Sequence, residues 1–169
     1  MHLDPRFADA ARARLEELTR WRRRLHRHPE LCFRETRTAA FAASQLRRFG
    51  FTVRTRVART GVVGVLSGGR PGPCFALRAD MDALPIQARS RAAYRSRVPG
   101  VMHACGHDGN TAMVLGAARL LAGVRRVLPG RVKVIFQPCE ENPPGGAQAM
   151  VAAGVLERPR VDAVMAAHV

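Results

Sequence analysis

Two apolar periodicities alternate along this chain, and the alternation restricts it to folds that lay helices on a sheet. Leu15, Leu18, Trp21 and Leu25 recur at spacings of three and four, the signature of one apolar helix stripe. Asp4 followed by Pro5 reads as a cap and a first helical residue, and Pro29 closes the stretch, so a single helix is expected from about Pro5 to His28. Thr36 to Phe49 predicts a second helix, with Ala39, Ala40, Phe41, Ala43 and Leu46 inward and Gly50 as its stop. The period then falls to two in Phe51 to Val57, a strand pattern. Two apolar runs, Gly61 to Leu66 and Cys74 to Arg78, flank a linker of Ser, Gly, Arg and Pro, and a hairpin is expected there. After an irregular region from Arg78 to Gly109, Thr111 to Gly123 predicts a largely buried helix and Arg131 to Phe136 a strand. Gly146 to Ala153 predicts a short helix, and Val161 to His168 a core strand near the middle of the sheet. The class is α/β, with a central mixed β-sheet flanked by helices.

The polar clusters fall at strand ends, where open α/β sheets hold their ligands. They are Asp80-Met81-Asp82, His103-Ala104-Cys105-Gly106-His107-Asp108, Glu140-Glu141 and His168. Thiolate and neutral imidazole are good ligands for zinc and its first-row neighbours. If the backbone around Cys105 is extended, positions i and i+2 point the same way and bring Cys105 and His107 to one place. Glu140 and Glu141 are adjacent, so their carboxylates diverge; beside a cation one can coordinate while the other serves as general base. Asp82 can orient a ligand histidine as an acceptor, or brace the following turn with Asp80. A lone histidine such as His168 is ordinarily a satisfied edge residue, and only the other clusters promote it. His26 and His28 lie in the basic helix and are expected to be structural.

Composition narrows the function classes. A length of 169 residues, 47% of them hydrophobic, suits one domain with a real core. No apolar run approaches the ~20 residues that span a bilayer, and the N-terminus lacks the apolar centre of a secretory signal. The expectation is a cytoplasmic protein without a membrane partner. The net charge of +15 invites a nucleic-acid reading. Nearly all of it is arginine, spread along the chain, with Lys133 the only lysine and no aromatic-interleaved basic motif. No specific nucleic acid is expected as a partner. Four cysteines without CxxC spacing read as free thiols, with Cys32, Cys74 and Cys139 as packing residues.

With these residues in place, the chain resembles the N-terminal part of the M20 metallopeptidase-like amidohydrolases, in the branch of hippurate, N-acyl-amino-acid and auxin-conjugate hydrolases. The resemblance runs through Leu25-His26-Arg27-His28-Pro29-Glu30-Leu31, Ala76 to Ile86, Met102 to Gly109, Phe136 to Glu141 and Ala167-His168-Val169. It implies an incomplete zinc-exopeptidase-like catalytic domain over residues 1–169, without the lid or dimerisation domain. It implies a site for two divalent ions (zinc, manganese or similar) held by Cys105, His107, Glu141 and His168. Glu140 matches the general base and Asp82 the aspartate that orients the site's groups; His103 belongs to the motif but not to the ligands. The implied reaction is hydrolysis of a small N-acyl amino acid or related amide. The cations acidify a water, and Glu140 takes its proton and returns it to the leaving amine. A homo-oligomer is implied only for a complete form.

Three departures from the pattern bear on substrate preference. Asn110 stands where the branch has histidine, Gln87 to Ala93 lacks an acidic residue, and Cys139 replaces alanine. Family members are roughly 400 residues in two domains and carry one further ligand histidine later in the chain. The 169-residue form is therefore expected to have little activity alone, whether it is a fragment, a truncated gene product or a deliberately shortened chain. Two other readings remain: a non-catalytic remnant acting as a binding or regulatory module, and a basic nucleic-acid binder.

Overall fold

The structure is a computed structural model and describes residues 5–169. Its elements in order are α1 (Pro5–Arg12), α2 (Leu15–Arg27), α3 (Thr36–Arg48), β1 (Thr52–Val57), β2 (Gly61–Ser67), β3 (Arg70–Asp80), α4 (His107–Gly123), β4 (Pro129–Gln137), α5 (Gly145–Ala152) and β5 (Ala163–Ala166). The strands form one mixed sheet in the order β1-β2-β4-β3-β5. β4 runs antiparallel to β2 and parallel to β3, which is in turn parallel to β5.

Strand alternation sends side chains to two packed faces. On one face Val62, Leu66, Ala79, Val132, Val134 and Phe136 meet Trp21, Leu46, Leu115 and Ala118 of α2, α3 and α4. On the other, Val63, Ala76 and Ile135 meet Met150 of α5 and Val155. Fully burying a side chain such as Leu46 or Leu115 contributes roughly 1.5–3 kcal/mol. Gly64 lets α3 sit close: a Cβ there would lie 2.7 Å from Leu46 Cδ1. No helix among the described residues is long and apolar enough to cross a membrane.

Several local expectations are corrected. The expected first helix is two, because the chain turns at Ala13-Arg14, with Arg14 at φ −107° and ψ 3°. Asp4, the expected cap, lies outside the described residues. Ala40 faces solvent, whereas Ala42 is fully buried. The hairpin does not form. β4 lies between β2 and β3, because its apolar residues need cover on both faces and hydrogen-bonding neighbours on both edges. Lys133, in the middle of β4, is buried, and its Nζ donates to Val155 O at 2.7 Å and Pro159 O at 2.6 Å. β5 is an edge rather than a central strand. Among the described residues it pairs only with β3, and it leaves Val164 and Met165 exposed, beside exposed Phe75 on β3.

Candidate metal centre

Three parallel strands, β4, β3 and β5, end on the same side of the sheet, and their ends carry the polar clusters. Asp80 ends β3 and Asp82 follows it, Glu140 and Glu141 follow β4, and His168 follows β5. The fourth group arrives differently from the extended geometry expected of it. Gly106, at φ +84°, is the N-cap of α4, so Cys105 precedes the turn and His107 lies in the first helical turn. Only a residue tolerant of left-handed backbone permits this tight entry. Convergence of Cys105 and His107 thus comes from a helix start, four residues earlier than the expected Thr111.

His107 is the hub. Its Nδ1 lies 2.9 Å from Asp82 O and 3.3 Å from Asp82 Oδ1, which fixes the ring and leaves Nε2 pointing inward. Nε2 is buried with no hydrogen-bond partner. It faces Glu141 Oε1 at 3.6 Å, Asp80 Oδ2 at 3.7 Å and Glu140 Oε2 at 3.9 Å. On the other side Cys105 Sγ stands 3.4 Å from His168 Nε2, and the rings of His107 and His168 are 5.7 Å apart, edge to face. Two donor groups result, Cys105–His107–His168 and His107–Glu140–Glu141, each with its atoms within 4.8 Å of one another.

The electrostatics suit a cation. The Glu141 carboxylate, burial and the charges of Glu140 and Asp80 push the Cys105 thiol up to about 11. Burial disfavours the His107 imidazolium, but Asp82 and Asp80 outweigh it and hold His107 above the usual histidine range. Burial likewise pushes the Asp82 carboxyl up, yet His107 and the Glu140 and Glu141 amides hold it below its ordinary value. A protonated thiol, and an imidazole whose carboxylate neighbours favour its charged form, are groups that a divalent cation would hold deprotonated while supplying its own charge. The orphaned His107 Nε2 and Glu141 Oε1 would then gain the partner that buried polar atoms require.

All six sequence-derived site residues, Asp82, Cys105, His107, Glu140, Glu141 and His168, meet in this one place. His103 is in neither donor group: it is buried, burial lowers its pKa to about 4, and neither ring nitrogen has a partner. His26 is structural, with Nδ1 donating to Asp108 Oδ2 at 2.8 Å. Three residues support the site through contacts that were not read from sequence. Asp80 accepts from Arg78 Nη1 at 2.8 Å and from Asn110 Nδ2 at 2.7 Å. Asn110 also accepts the Val169 amide through its Oδ1 at 3.2 Å, tying the segment after β5 to α4. Glu35 is the third, and its only sequence signal is an acid at the head of a helix.

The cysteine expectation is partly overturned. Cys32 and Cys139 form a disulfide across 107 residues, whereas Cys74 and Cys105 are free. Tertiary structure brings the pair together. Leu31 forms a β-bridge with Ala83, and the Glu35 carboxylate holds the Cys139 amide, so both cysteines reach the same side of the site.

The profile of Peptidase family M20/M25/M40 matches residues 76–169. The chain is similar to an N-acyl-L-amino acid amidohydrolase of Geobacillus stearothermophilus, 49% identical over 148 residues, covering 88% of this chain and 40% of that protein. It is also similar to IAA-amino acid hydrolase ILR1-like 5 of Arabidopsis thaliana, 45% identical over 161 residues, covering 93% and 36%. Among solved structures it superposes on the YXEP protein of Bacillus subtilis, a dinuclear metal binding peptidase from the M20 family, with TM-score 0.83 and 42% identity over 90% of this chain and 42% of that one. The chain thus spans about two fifths of the length of the curated relatives it matches.

Proposed function

This chain belongs to peptidase family M20/M25/M40, and from that premise we propose that it supplies the metal-binding and base-bearing part of an amidohydrolase acting on N-acyl amino acids. One observation carries the reading: a buried imidazole nitrogen without a partner, His107 Nε2, faces a set of carboxylates and shares a cluster with a thiol and a second imidazole. Two donor groups with a common histidine suit two divalent cations, zinc, manganese or similar. Cys105, His107, Glu141 and His168 are the ligands in this reading. The dinuclear metal centre of the Bacillus subtilis relative supports it.

Bound there, the cations would acidify a water and polarise the substrate's amide carbonyl. The chain's own groups have separate tasks. Asp82, through its carbonyl and carboxylate, keeps His107 in the tautomer that presents Nε2. Glu140, with its side chain 41% exposed, lies on the open side of the cluster and is free to take a proton from water at a carboxylate oxygen. The same oxygen returns the proton to the leaving amine nitrogen, giving a carboxylate and an amino acid. The N-acyl class is supported by the names of two relatives, an N-acyl-L-amino acid amidohydrolase and an IAA-amino acid hydrolase; a hippurate-like acyl group is the finer part of this proposal. With two fifths of a relative's length, these 169 residues alone are expected to hydrolyse such substrates weakly or not at all.

The test is calorimetric titration with Mn2+ and Zn2+, beside hydrolysis of an N-acyl amino acid panel. Binding that falls at least about tenfold in Cys105→Ala and His107→Ala, and strengthens as pH rises because both side chains give up protons, is the expected result. Absence of divalent binding in the folded chain would remove the metal-centre reading.

A further inference from the structure

Glu35 sits outside the metal-facing cluster, yet its carboxylate reaches the loop that carries Glu140 and Glu141. It stands at the head of α3 with 0% exposure. Its Oε1 accepts the Phe33 amide at 3.0 Å and the Cys139 amide at 2.9 Å, and its Oε2 accepts the Thr60 hydroxyl. Three separate segments therefore end on one buried carboxylate: the start of α3, the turn before β2 and the loop after β4.

Cys139 needs that support. It is a non-glycine residue at φ +47°, in the left-handed region that a side chain disfavours. It lies beyond the last ladder residue of β4, Gln137, so its amide has left the sheet. Its carbonyl accepts the Gly146 amide at 2.7 Å, and its side chain is bonded to Cys32. The next residues are Glu140 and Glu141, and the Glu141 amide donates to Asp82 Oδ2 at 3.1 Å. The acidic pair is thus held from two sides, by Asp82 at the site and by Glu35 behind it.

We infer that Glu35 is a positioning residue: by accepting the Cys139 amide it fixes the strained turn that aims Glu140 and Glu141 at His107. This rests on the proposed roles of those two glutamates. Burial of Glu35, which pushes its pKa up against the opposing bonds from Thr60, Cys139 and Phe33, fits a carboxylate kept for its acceptor geometry.

Two substitutions separate positioning from packing. In Glu35→Gln the carbonyl oxygen can still accept both amides while the NH2 donates to Thr60 Oγ1. In Glu35→Leu the volume is kept and every acceptor is lost. Hydrogen exchange at residues 139–142 and Mn2+ affinity by calorimetry are read on the full chain. Glu35→Leu is expected to exchange faster at 139–142 while β4 keeps its protection, and to bind Mn2+ about 10- to 100-fold more weakly, the usual range for groups that support metal ligands. Glu35→Gln is expected to match wild type in both. Unchanged exchange and affinity in Glu35→Leu overturn the assignment. If Glu35→Leu does not fold, Glu35→Asp, one methylene too short to span the three donors, is read in its place. Unfolding of both with Glu35→Gln intact also overturns the assignment, in favour of a purely structural role. If wild type binds no Mn2+, or Cys105→Ala binds as wild type does, the metal-centre reading fails, and exchange at 139–142 still decides the role of Glu35.

Discussion

Breaking the Cys32–Cys139 bond should cost this chain a large part of its stability without touching the sheet. The bond closes 107 residues, from the segment before α3 to the loop after β4. In the chain-entropy account, closing a loop of that length removes roughly 16 cal/mol/K from the unfolded ensemble, about 5 kcal/mol at 25 °C. Native domains are stable by only about 5–15 kcal/mol, so the reduced chain should lie near the edge of folding. Urea unfolding, followed by tryptophan fluorescence of the buried Trp21, measures it in three forms: untreated, treated with a dithiol reductant, and Cys32→Ala. With a slope of about 2 kcal/mol/M, the midpoint should fall by about 2.5 M on reduction. The slope should also rise, because an uncrosslinked unfolded state exposes more surface. Cys32→Ala should resemble the reduced protein and ignore reductant. Thiol titration in denaturant should count two thiols before reduction, Cys74 and Cys105, and all four cysteines after it. Four thiols in the untreated protein, or a midpoint that moves by less than about 0.5 M, would refute the cross-link or its energetic weight.

Asp108 is buried and accepts Arg22 Nε and His26 Nδ1, each at 2.8 Å, so Asp108→Asn should cost about 3 kcal/mol at neutral pH. Burial pushes the Asp108 carboxyl up, but the bond from His26 and the nearby cationic groups outweigh it and hold the group below its usual value. Its contribution is therefore complete above the ordinary aspartate range near pH 4 and lost as pH falls through the lower folded value. Urea midpoints of wild type and variant should converge in acid; a gap constant from pH 7 to pH 3 would contradict this. Gly106→Ala would place a Cβ 2.8 Å from Val169 Cγ2 at φ +84°, and should cost about 1–2 kcal/mol with weaker Mn2+ binding. A variant with unchanged melting temperature and affinity would show that this turn is not constrained. Met165→Lys on the exposed edge β5 should suppress concentration-dependent association seen by light scattering, since a charge on an edge opposes strand pairing. Equal association of both forms would point away from β5.

The elements were readable wherever one period ran long enough. Trp21 and Leu25 are buried at helical spacing, although Leu15 of the same expected stripe is exposed, and Val132, Val134 and Phe136 alternate on one face of β4, as their sequence positions imply. The pairing of the strands was not readable. A glycine- and proline-rich linker says that the chain turns, not that its flanking strands become neighbours, and only the need of β4 for cover on both edges separates β2 from β3. The break between α1 and α2 carries no proline or glycine, so no local rule marks it. The burial of Lys133 was not readable either, since it depends on two carbonyls of the chain beyond α5 that accept its ammonium group.

At the site, residue type carried most of the information. Thiol, imidazole and paired carboxylates at strand ends are few in kind, and their chemistry names them before any geometry is known. What stayed hidden are the groups defined by the needs of the backbone. The amide of Cys139 leaves the ladder after Gln137, and a buried N–H without a partner is costly. Some acceptor must therefore come from elsewhere in the chain. Glu35, 104 residues away, supplies it, and no periodicity or motif could have announced that pairing. The disulfide poses the same problem, because Cys32 and Cys139 become neighbours only once Leu31 has paired with Ala83. A left-handed, non-glycine residue between a strand and an acidic pair is thus the place to ask which distant side chain answers its amide. Here the answer joins the head of α3 to the loop that carries Glu140 and Glu141.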